Sequence, residues 1–303
     1  MARSDSCGSV HPWTALSYTT STCCIILILF TVPLNIAVIV AIIKSKNYAS
    51  QFYIIILNLA ISDLLIGAVV DPLGAALIFK EGLQLELTPL QVKVFISIMF
   101  MLGTSSVQSM ALLNLDRFVS IQWPERYSAI KKVHLFVVFA LLWLFSIICG
   151  YLSLKVGFAL FLLIFSIATV LFTVAIMCVT MRTFWKKLVR VTAAEDANLS
   201  LEPNQQNSTV ATTKVFSIGR FRASANERRI IRTLCFMLII FISCYFPVFL
   251  ACIYLNTCTD CDCLVVHILR DVTILAILVS SVARPINFLR RLSNLREGLH
   301  CIN

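Results

Sequence analysis

The sequence is short of charged residues: Asp, Glu, Lys and Arg make up 13% of its 303 residues, whereas soluble proteins average about 25%. This shortage excludes water-soluble enzymes and nucleic-acid-binding proteins, because so apolar a chain would expose large hydrophobic patches to water. Hydrophobic residues account for 59% of the chain, and the mean hydropathy is +0.91. The composition therefore predicts a protein that is embedded in a lipid bilayer.

The sequence also lacks a visible internal repeat, which argues against transporters built from duplicated halves. Its apolar segments are continuous rather than alternating, which excludes a membrane β-barrel. Each segment is long enough to cross a bilayer as a helix, for which about 20 residues are needed. We therefore predict an all-α membrane protein with a seven-helix bundle. The predicted spans are residues 22–43, 52–79, 91–115, 133–154, 158–181, 230–255 and 264–289.

Lysine and arginine are abundant in alternate connecting segments and scarce in the others, which predicts the topology because these residues stay in the cytosol. Lys44 and Lys46 follow the first span, and Arg290 and Arg291 follow the last. The prediction is a multi-pass plasma-membrane protein with an extracellular N-terminus, and its formal charge of +10 should also attract anionic membrane lipid. The predicted parts are an extracellular segment 1–21, a membrane domain 22–289 with a third cytosolic loop 186–227, and an amphipathic helix and C-terminus 290–303.

Polar residues inside the predicted spans follow a recognisable order, and such residues are functional candidates. They are Asn35, Asn58, Asp63, the run Asp116-Arg117-Phe118, Trp143, and the Pro247 and Pro285 segments of the last two spans. This series resembles the rhodopsin-like (class A) G-protein-coupled receptors along nearly the whole chain. The resemblance implies a receptor that binds an extracellular ligand and activates heterotrimeric G proteins, with no enzymatic activity, no cofactor and no metal.

Several positions depart from the pattern of that family. The third span has no cysteine at its outer end, the connection 151–157 is very short, and the fifth span has no proline. Tyr245 stands where the family has tryptophan, and Arg284 where it has asparagine or aspartate. The short loop and a cysteine cluster before the last span resemble the corresponding regions of the melanocortin receptors and of their lipid and nucleoside receptor relatives. The alternatives are an atypical receptor that does not signal, or a small-solute transporter or channel.

The resemblance predicts an activation switch near the cytosolic side. Arg117 would pair with Asp116 and with Glu227, and its release would allow contact with a G protein; the alternative is an arginine that extends to lipid phosphate. Phe241 and Tyr245 lie four residues apart on one helix face and are predicted to belong to the switch. The alternative is that they are ordinary packing aromatics. The predicted switch residues are Asp116, Arg117, Phe118, Glu227, Phe241, Tyr245, Pro247, Pro285 and Phe288.

A polar core is predicted deeper in the membrane. In the resembled family, the helix-two aspartate and a helix-three serine, here Asp63 and Ser106, face a cavity that often holds sodium. Arg284 faces the same cavity, and an unpaired guanidinium at that depth costs several kcal/mol. We therefore predict that Arg284 pairs with Asp63, unless it extends to the cytosolic surface instead. The predicted core comprises Asn35, Asp63, Ser106 and Arg284.

The predicted ligand pocket is mostly apolar, which suits a lipid, a small apolar molecule or a peptide side chain. Met99 stands where aminergic receptors carry an aspartate, which argues against monoamines. Asp71 either anchors a cation in the pocket or is a water-exposed carboxylate at a helix end. The pocket is predicted to include Asp71, Met99, Gly103, Phe249, Cys252 and Asp271.

Cysteines outside the predicted spans suggest covalent ties. Cys7, Cys258, Cys261 and Cys263 fall on the oxidising side of the membrane, where one disulfide within the last outer loop and one to Cys7 are expected. Zinc binding is the alternative for this cluster. Cys301 follows the basic stretch that starts at Arg290 and is a candidate palmitoylation site, or otherwise a free thiol.

Overall fold

The computed structural model of the protein describes two kinds of segment. The continuous ones are residues 14–45, 50–130, 132–155, 171–176, 178–183, 235–251 and 262–291, and the isolated positions are 164, 167–168, 185–186, 189, 233, 253–254 and 257–258. Within these residues the regular structure is helical, with no strand. The all-α class predicted from the sequence is confirmed for this part of the chain.

Nine helices are described, numbered here in chain order. A π-helical segment, Ile66–Val70, joins the second helix to the third, so that residues 51–82 form one continuous rod. The helices are α1 (Thr14–Lys44), α2 (Gln51–Leu65), α3 (Asp71–Gly82), α4 (Pro89–Gln122), α5 (Pro124–Ala129), α6 (Lys132–Lys155), α7 (Leu171–Thr183), α8 (Cys235–Ala251) and α9 (Cys263–Arg291).

Five segments are long and apolar enough to cross a membrane: Thr14–Lys44, Gln51–Gly82, Pro89–Ser120, Lys132–Lys155 and Cys263–Arg290. A helix suits the interior of a membrane because it satisfies every backbone hydrogen bond internally. These segments confirm five of the seven predicted spans. Two shorter apolar helices, α7 and α8, fall within the predicted fifth and sixth spans.

The first helix begins at Thr14, well before the predicted boundary at residue 22, so the end of the predicted extracellular segment 1–21 is helical. Its first turns are held by polar contacts with other helices. Ser21 donates a hydrogen bond to the backbone carbonyl of Ala75 (3.1 Å), and Thr20 donates one to the Asp271 carboxylate (2.8 Å). These contacts anchor an extension that the hydropathy pattern does not predict.

The bundle has two dense contact regions. α1 packs along α3 and α9, while α4 packs between α2 and α6. Gly67 allows α1 to approach closely, because a Cβ atom at this position would lie 2.7 Å from Cγ2 of Thr31. Such small residues are typical of helix contacts in membranes. The largest buried cluster includes Ile42, Phe52, Ile56, Leu59, Met110, Leu113, Met237, Phe241 and Phe288.

We name the two ends of the bundle by the helices that end there. The inner end is where α4 runs into α5, and the outer end is where α3 ends at Gly82 and α9 begins at Cys263. Near the outer end, Thr88 and Gln91 form a reciprocal capping box that starts α4, which satisfies backbone donors otherwise left without partners. Most of the predicted loop 186–227 and of the segment 290–303 lies outside the described residues.

Candidate functional site

A buried ion pair links α2 and α9 at the centre of the bundle. The Nη2 atom of Arg284 lies 3.0 Å from Oδ1 of Asp63, and their side chains are 0% and 1% exposed. The Ser106 hydroxyl of α4 donates to the same carboxylate oxygen (2.8 Å) and accepts from Nη1 of Arg284 (2.6 Å). The predicted pairing is confirmed, and extension of Arg284 to the cytosolic surface is wrong for this structure.

The rest of the Arg284 guanidinium is also satisfied within the bundle. Its Nε atom donates to the backbone carbonyl of Ser280 (3.1 Å), and Nη2 donates to the Ser281 hydroxyl (3.1 Å). Asn35 of α1 donates to the carbonyl of Ser281 (3.4 Å), so all four predicted core residues meet in one region. Because breaking a buried ion pair is strongly destabilising, this group holds α1, α2, α4 and α9 in one arrangement.

At the inner end, Arg117 is held by three different groups. Its Nε atom donates to Oδ2 of Asp116 (2.8 Å), and its Nη2 atom donates to the hydroxyl of Tyr127 in α5 (3.2 Å). Tyr127 in turn donates to Oδ1 of Asp116 (2.9 Å). The guanidinium also lies 4.2 Å from the ring centroid of Phe52 in α2, a favourable cation–π geometry. The arginine is therefore fixed between α2, α4 and α5.

This arrangement includes two residues that the sequence analysis missed, Tyr127 and Phe52. Burial and the neighbouring Asp116 carboxylate raise the pKa of the Tyr127 hydroxyl above its ordinary value, so it stays a hydrogen-bond donor at neutral pH. In the sequence, Tyr127 is indicated only by being an aromatic residue that follows soon after the Asp-Arg run. The predicted partner Glu227 lies outside the described residues, and that pairing remains a prediction.

The remaining predicted switch residues divide into two groups. Phe241 and Tyr245 stack on α8 with ring centroids 4.6 Å apart and an interplanar angle of 22°, and Phe241 and Phe288 share the main buried cluster with Met110. Pro247 and Pro285 lie inside α8 and α9. Phe118 instead packs edge-on against Trp123, with centroids 5.8 Å apart. Met110 of the same cluster also contacts Nη1 of Arg284 (3.4 Å), so the cluster that contains Phe241 adjoins the polar core.

A second set of interhelical bonds links α2, α4 and α6 beside the polar core. Asn58 donates to the Ser109 hydroxyl of α4 (2.8 Å), and the Trp143 indole of α6 donates to Oδ1 of Asn58 (3.2 Å). Both Asn58 and Trp143 carried the family resemblance in the sequence. The structure gives them a common role as a three-helix contact.

An apolar cavity of about 260 Å³ lies in the outer half of the bundle. Its lining comes from α3, α4, α8 and α9 and includes Phe95, Met99, Val248, Ala251, Ile274 and Ile277. The charged residues in the lining are Glu81 and Arg270. We call this space the central cavity. Its size and lining suit a small molecule with an apolar body.

Only one of the described residues predicted for the ligand pocket lines the central cavity, namely Met99. Asp71, Gly103, Phe249 and Asp271 do not line it, and their place in a ligand site remains a prediction. Asp271 is turned towards α1, where Thr20 binds it. A Cβ atom at Gly103 would meet nothing within 4 Å, so this position has space beside it but belongs to a deeper level of α4. Cys252 lies outside the described residues.

A charged network lies at the outer end of the central cavity. Arg270 of α9 lies 2.8 Å from Oε2 of Glu81 in α3 and 2.8 Å from Oδ1 of Asp271. His267 Nδ1 lies 3.4 Å from Oε1 of Glu81. Glu81 and His267 are not among the predicted site residues, since nothing in the spacing joins residues of α3 to residues of α9.

Asp71 is buried at the start of α3, with 5% of its surface exposed. The alternative of a water-exposed carboxylate is therefore wrong. Its Oδ2 atom has no hydrogen-bond partner in the described part of the chain. A buried carboxylate without a partner is energetically unfavourable in its charged form, so Asp71 differs sharply from Asp63.

The outer cysteines are described in part. Cys258 and Cys263 are disulfide-bonded, and a disulfide sulfur is not a thiolate ligand, so neither serves as a zinc ligand in this structure. Cys7 and Cys261 lie outside the described residues, and the predicted connectivity remains a prediction. Cys301 lies outside them as well, so its palmitoylation is likewise untested.

Comparison with known sequences gives a family match over part of the chain. Residues 34–158 match the family described as "7 transmembrane receptor (rhodopsin family)". The matched range contains Asn35, Asp63, Ser106 and the Asp116-Arg117 pair, and it ends before α7.

Curated relatives give the same family. The histamine H2 receptor of Cavia porcellus is 30% identical over 148 residues, 48% of this chain and 40% of that receptor. The histamine H2 receptor of Rattus norvegicus is 24% identical over 272 residues, 82% of this chain and 70% of that receptor. The 5-hydroxytryptamine receptor 2C of Homo sapiens is 30% identical over 142 residues, 46% of this chain and 29% of that receptor.

The chain thus spans about two fifths of the length of the first of these relatives, with 40% of it covered. None of the three is a melanocortin receptor, and the resemblance to that subgroup stays a prediction.

Proposed function

The chain belongs to the rhodopsin-like family of seven-transmembrane receptors, and we propose that it is a cell-surface receptor that binds a ligand in the central cavity and activates heterotrimeric G proteins. The observation that carries this proposal is the Arg117 arrangement at the inner end. A residue that binds a G protein must be kept from that contact in the resting state. Here Arg117 is held inside the bundle by three groups, from α2, α4 and α5.

A series of packed residues connects the central cavity to the polar core at the centre of the bundle. Val248 lines the cavity and lies three residues from Tyr245 on α8, so the two share one helix face. Tyr245 stacks on Phe241, and the buried cluster around Phe241 includes Met110, a contact of Arg284. A ligand that displaces the outer part of α8 would therefore disturb this stack and bias the bundle between two states.

The proposed ligand is a small molecule rather than a large peptide. A cavity of about 260 Å³ with an apolar lining has room for little more than a small-molecule ligand. The relatives named above are receptors for histamine and for 5-hydroxytryptamine. Met99 offers no charge to an amine, so a cationic ligand would need Glu81 at the outer rim instead.

The proposed topology has seven spans, an extracellular N-terminus and a cytosolic third loop. Its support is the distribution of lysine and arginine together with the five long apolar helices. An epitope tag placed between residues 195 and 213 should bind antibody only after cells are permeabilised. Glycan on Asn198 or Asn207 would contradict this orientation, because glycosylation occurs on the other side of the membrane.

Guanine-nucleotide exchange on a panel of purified G proteins tests the receptor proposal. The full chain in lipid nanodiscs should accelerate exchange above the rate of empty nanodiscs, either basally or with a ligand from a small-molecule collection. Arg117→Ala is the matched control and should return exchange to the background rate. A ligand that binds the full chain without exchange on any G protein would indicate a non-signalling receptor, and solute flux in liposomes would indicate a transporter.

A further inference from the structure

A second concavity lies on the outer surface of the bundle, between α3 and α4. This groove has a volume of about 340 Å³ and is lined by residues that include Leu73, Leu77, Lys80, Val94 and Phe95. Leu73 and Val94 are 40% and 45% exposed, and in a membrane-spanning bundle such apolar positions contact acyl chains. Lys80 lies at its outer end, at the level where a lysine extends to the headgroups. The groove therefore opens into the outer leaflet.

The groove and the central cavity share two side chains. Leu77 of α3 and Phe95 of α4 line both spaces. The wall at this point is a pair of side chains rather than backbone. The Phe95 ring lies against Gly74, where an added Cβ would be 3.1 Å from the ring. The two spaces are therefore separated at this point by the Leu77 and Phe95 side chains, and the Phe95 ring packs where Gly74 has no side chain.

The other route into the cavity crosses charged groups. The Glu81–Arg270 ion pair spans from α3 to α9 at 2.8 Å, and both residues line the cavity at its outer end. A ligand that enters here from water must pass or break this pair. A molecule apolar enough to suit the cavity lining will also partition into the bilayer, where it meets the groove and not the ion pair.

We propose that the central cavity is filled from the bilayer, through a portal between α3 and α4 whose gate is formed by Leu77 and Phe95. The ligand class is an uncharged small molecule with an apolar body that dissolves in the outer leaflet. The proposal rests on the proposed function only in taking the central cavity as the ligand site. It assigns Phe95 a part in the rate of access rather than in affinity.

Thiol labelling in membranes tests the portal. Thr273→Cys places a thiol in the lining of the cavity on α9 with little change in size. The membranes are treated either with the apolar reagent N-phenylmaleimide or with a trimethylammonium methanethiosulfonate, which does not partition into lipid. Peptide mass spectrometry separates this thiol from the native cysteines.

In this background, Phe95→Trp should slow labelling by N-phenylmaleimide roughly tenfold, because a bulkier gate raises the barrier to access, and Phe95→Ala should accelerate it. Labelling by the charged reagent should not change with either variant. Phe136→Trp is the matched control, since Phe136 is 60% exposed on α6 and lies outside the groove. It should leave both rates unchanged.

Equal slowing by Phe95→Trp and Phe136→Trp would overturn the portal, and so would an effect confined to the charged reagent. If Phe95→Trp does not fold, Leu77→Trp and Phe95→Ala supply the slowed and accelerated arms. The labelling requires no signalling. An unchanged labelling rate in the Phe95 variants would therefore refute the portal without contradicting the proposed receptor function. Labelling that depends on residue 95, together with no nucleotide exchange, would support the portal and contradict the receptor function.

Discussion

The inner and outer halves of the bundle treat their buried carboxylates differently. In the inner half, Asp63 and Asp116 each contact an arginine of the chain, and each accepts a further hydrogen bond from a hydroxyl group. In the outer half, Glu81 and Asp271 share Arg270, and they have further contacts with His267 and Thr20. Asp71 has an oxygen without a partner among the described residues.

The difference concerns what each half is built to do. Fully paired charges define one arrangement of helices, and moving between two such arrangements requires exchanging whole contacts, as a switch does. A buried carboxylate that lacks a partner for one oxygen, as Asp71 does among the described residues, is less stable in its charged form and adds no such constraint. The proposed function accordingly assigns the conformational switch to the inner half and the ligand site to the outer half.

Breaking the central pair should have the largest effect. Asp63→Asn leaves the Arg284 guanidinium buried without its counter-ion, a change that costs about 3–5 kcal/mol in other proteins. Most folded receptor should be lost, as measured by surface expression and thermal unfolding in detergent. The double variant Asp63→Asn with Arg284→Asn should recover part of the loss, because coupled residues deviate from additivity. Additive losses in this cycle would contradict the coupling.

Loosening the inner lock should have a smaller, measurable effect on signalling. Tyr127→Phe removes a donor to Asp116 and an acceptor of Arg117, contacts worth on the order of 1 kcal/mol. Basal nucleotide exchange should rise several-fold, which is the shift that such an energy produces in a two-state population. Glu227→Ala should act in the same direction if that residue pairs with Arg117. Unchanged basal exchange in Tyr127→Phe at matched expression would remove Tyr127 from the lock.

The central pair also predicts a difference in ion sensitivity. Arg284 supplies a positive charge at Asp63 from within the chain, so sodium gains little by binding there. The thermal stability of the wild type should be equal in sodium chloride and in choline chloride at the same ionic strength. Arg284→Asn should make stability depend on sodium, provided that the cavity around Asp63 and Ser106 keeps its shape. Sodium dependence in the wild type would show that the guanidinium does not replace the ion.

The smallest effect is expected in the outer half. Asp71→Asn removes a buried carboxylate that lacks a full set of partners, so the variant should unfold at the wild-type temperature or a few degrees higher, as relief of an unpaired buried group allows. The same substitution chemistry is thus expected to destabilise at residue 63 and not at residue 71. A loss as large as that of Asp63→Asn would reveal a hidden partner for Asp71 and end the contrast between the two halves.

The sequence predicted the parts of this structure that follow from strong, local physical rules. Five spans follow from the length of apolar runs. The Arg284–Asp63 contact follows from the energy of an unpaired charge in a membrane, which leaves a buried arginine few other partners.

Contacts that no strong energetic rule requires were not predictable in the same way. The Glu81–Arg270 and Arg117–Tyr127 contacts join residues whose side chains have surface or loop positions as their ordinary alternatives, so no energetic rule forces either pairing. The position of Asp271 was not predictable for a related reason: its carboxylate accepts a hydrogen bond from the Thr20 hydroxyl of α1. That hydroxyl belongs to an extension of α1 that the hydropathy pattern does not show.

The π-helical segment Ile66–Val70 shifts the register of the part of the second span that follows it. A π-bulge adds one residue to an α-helical run, and one residue corresponds to a rotation of about 100° around the helix axis. Each residue beyond it, from Asp71 to Glu81, therefore faces the direction that the adjacent residue would face in an unbroken α-helix. Deleting one residue of this segment should therefore swing Glu81 away from Arg270 and Leu77 away from the cavity wall, while Asp63 stays beside Arg284.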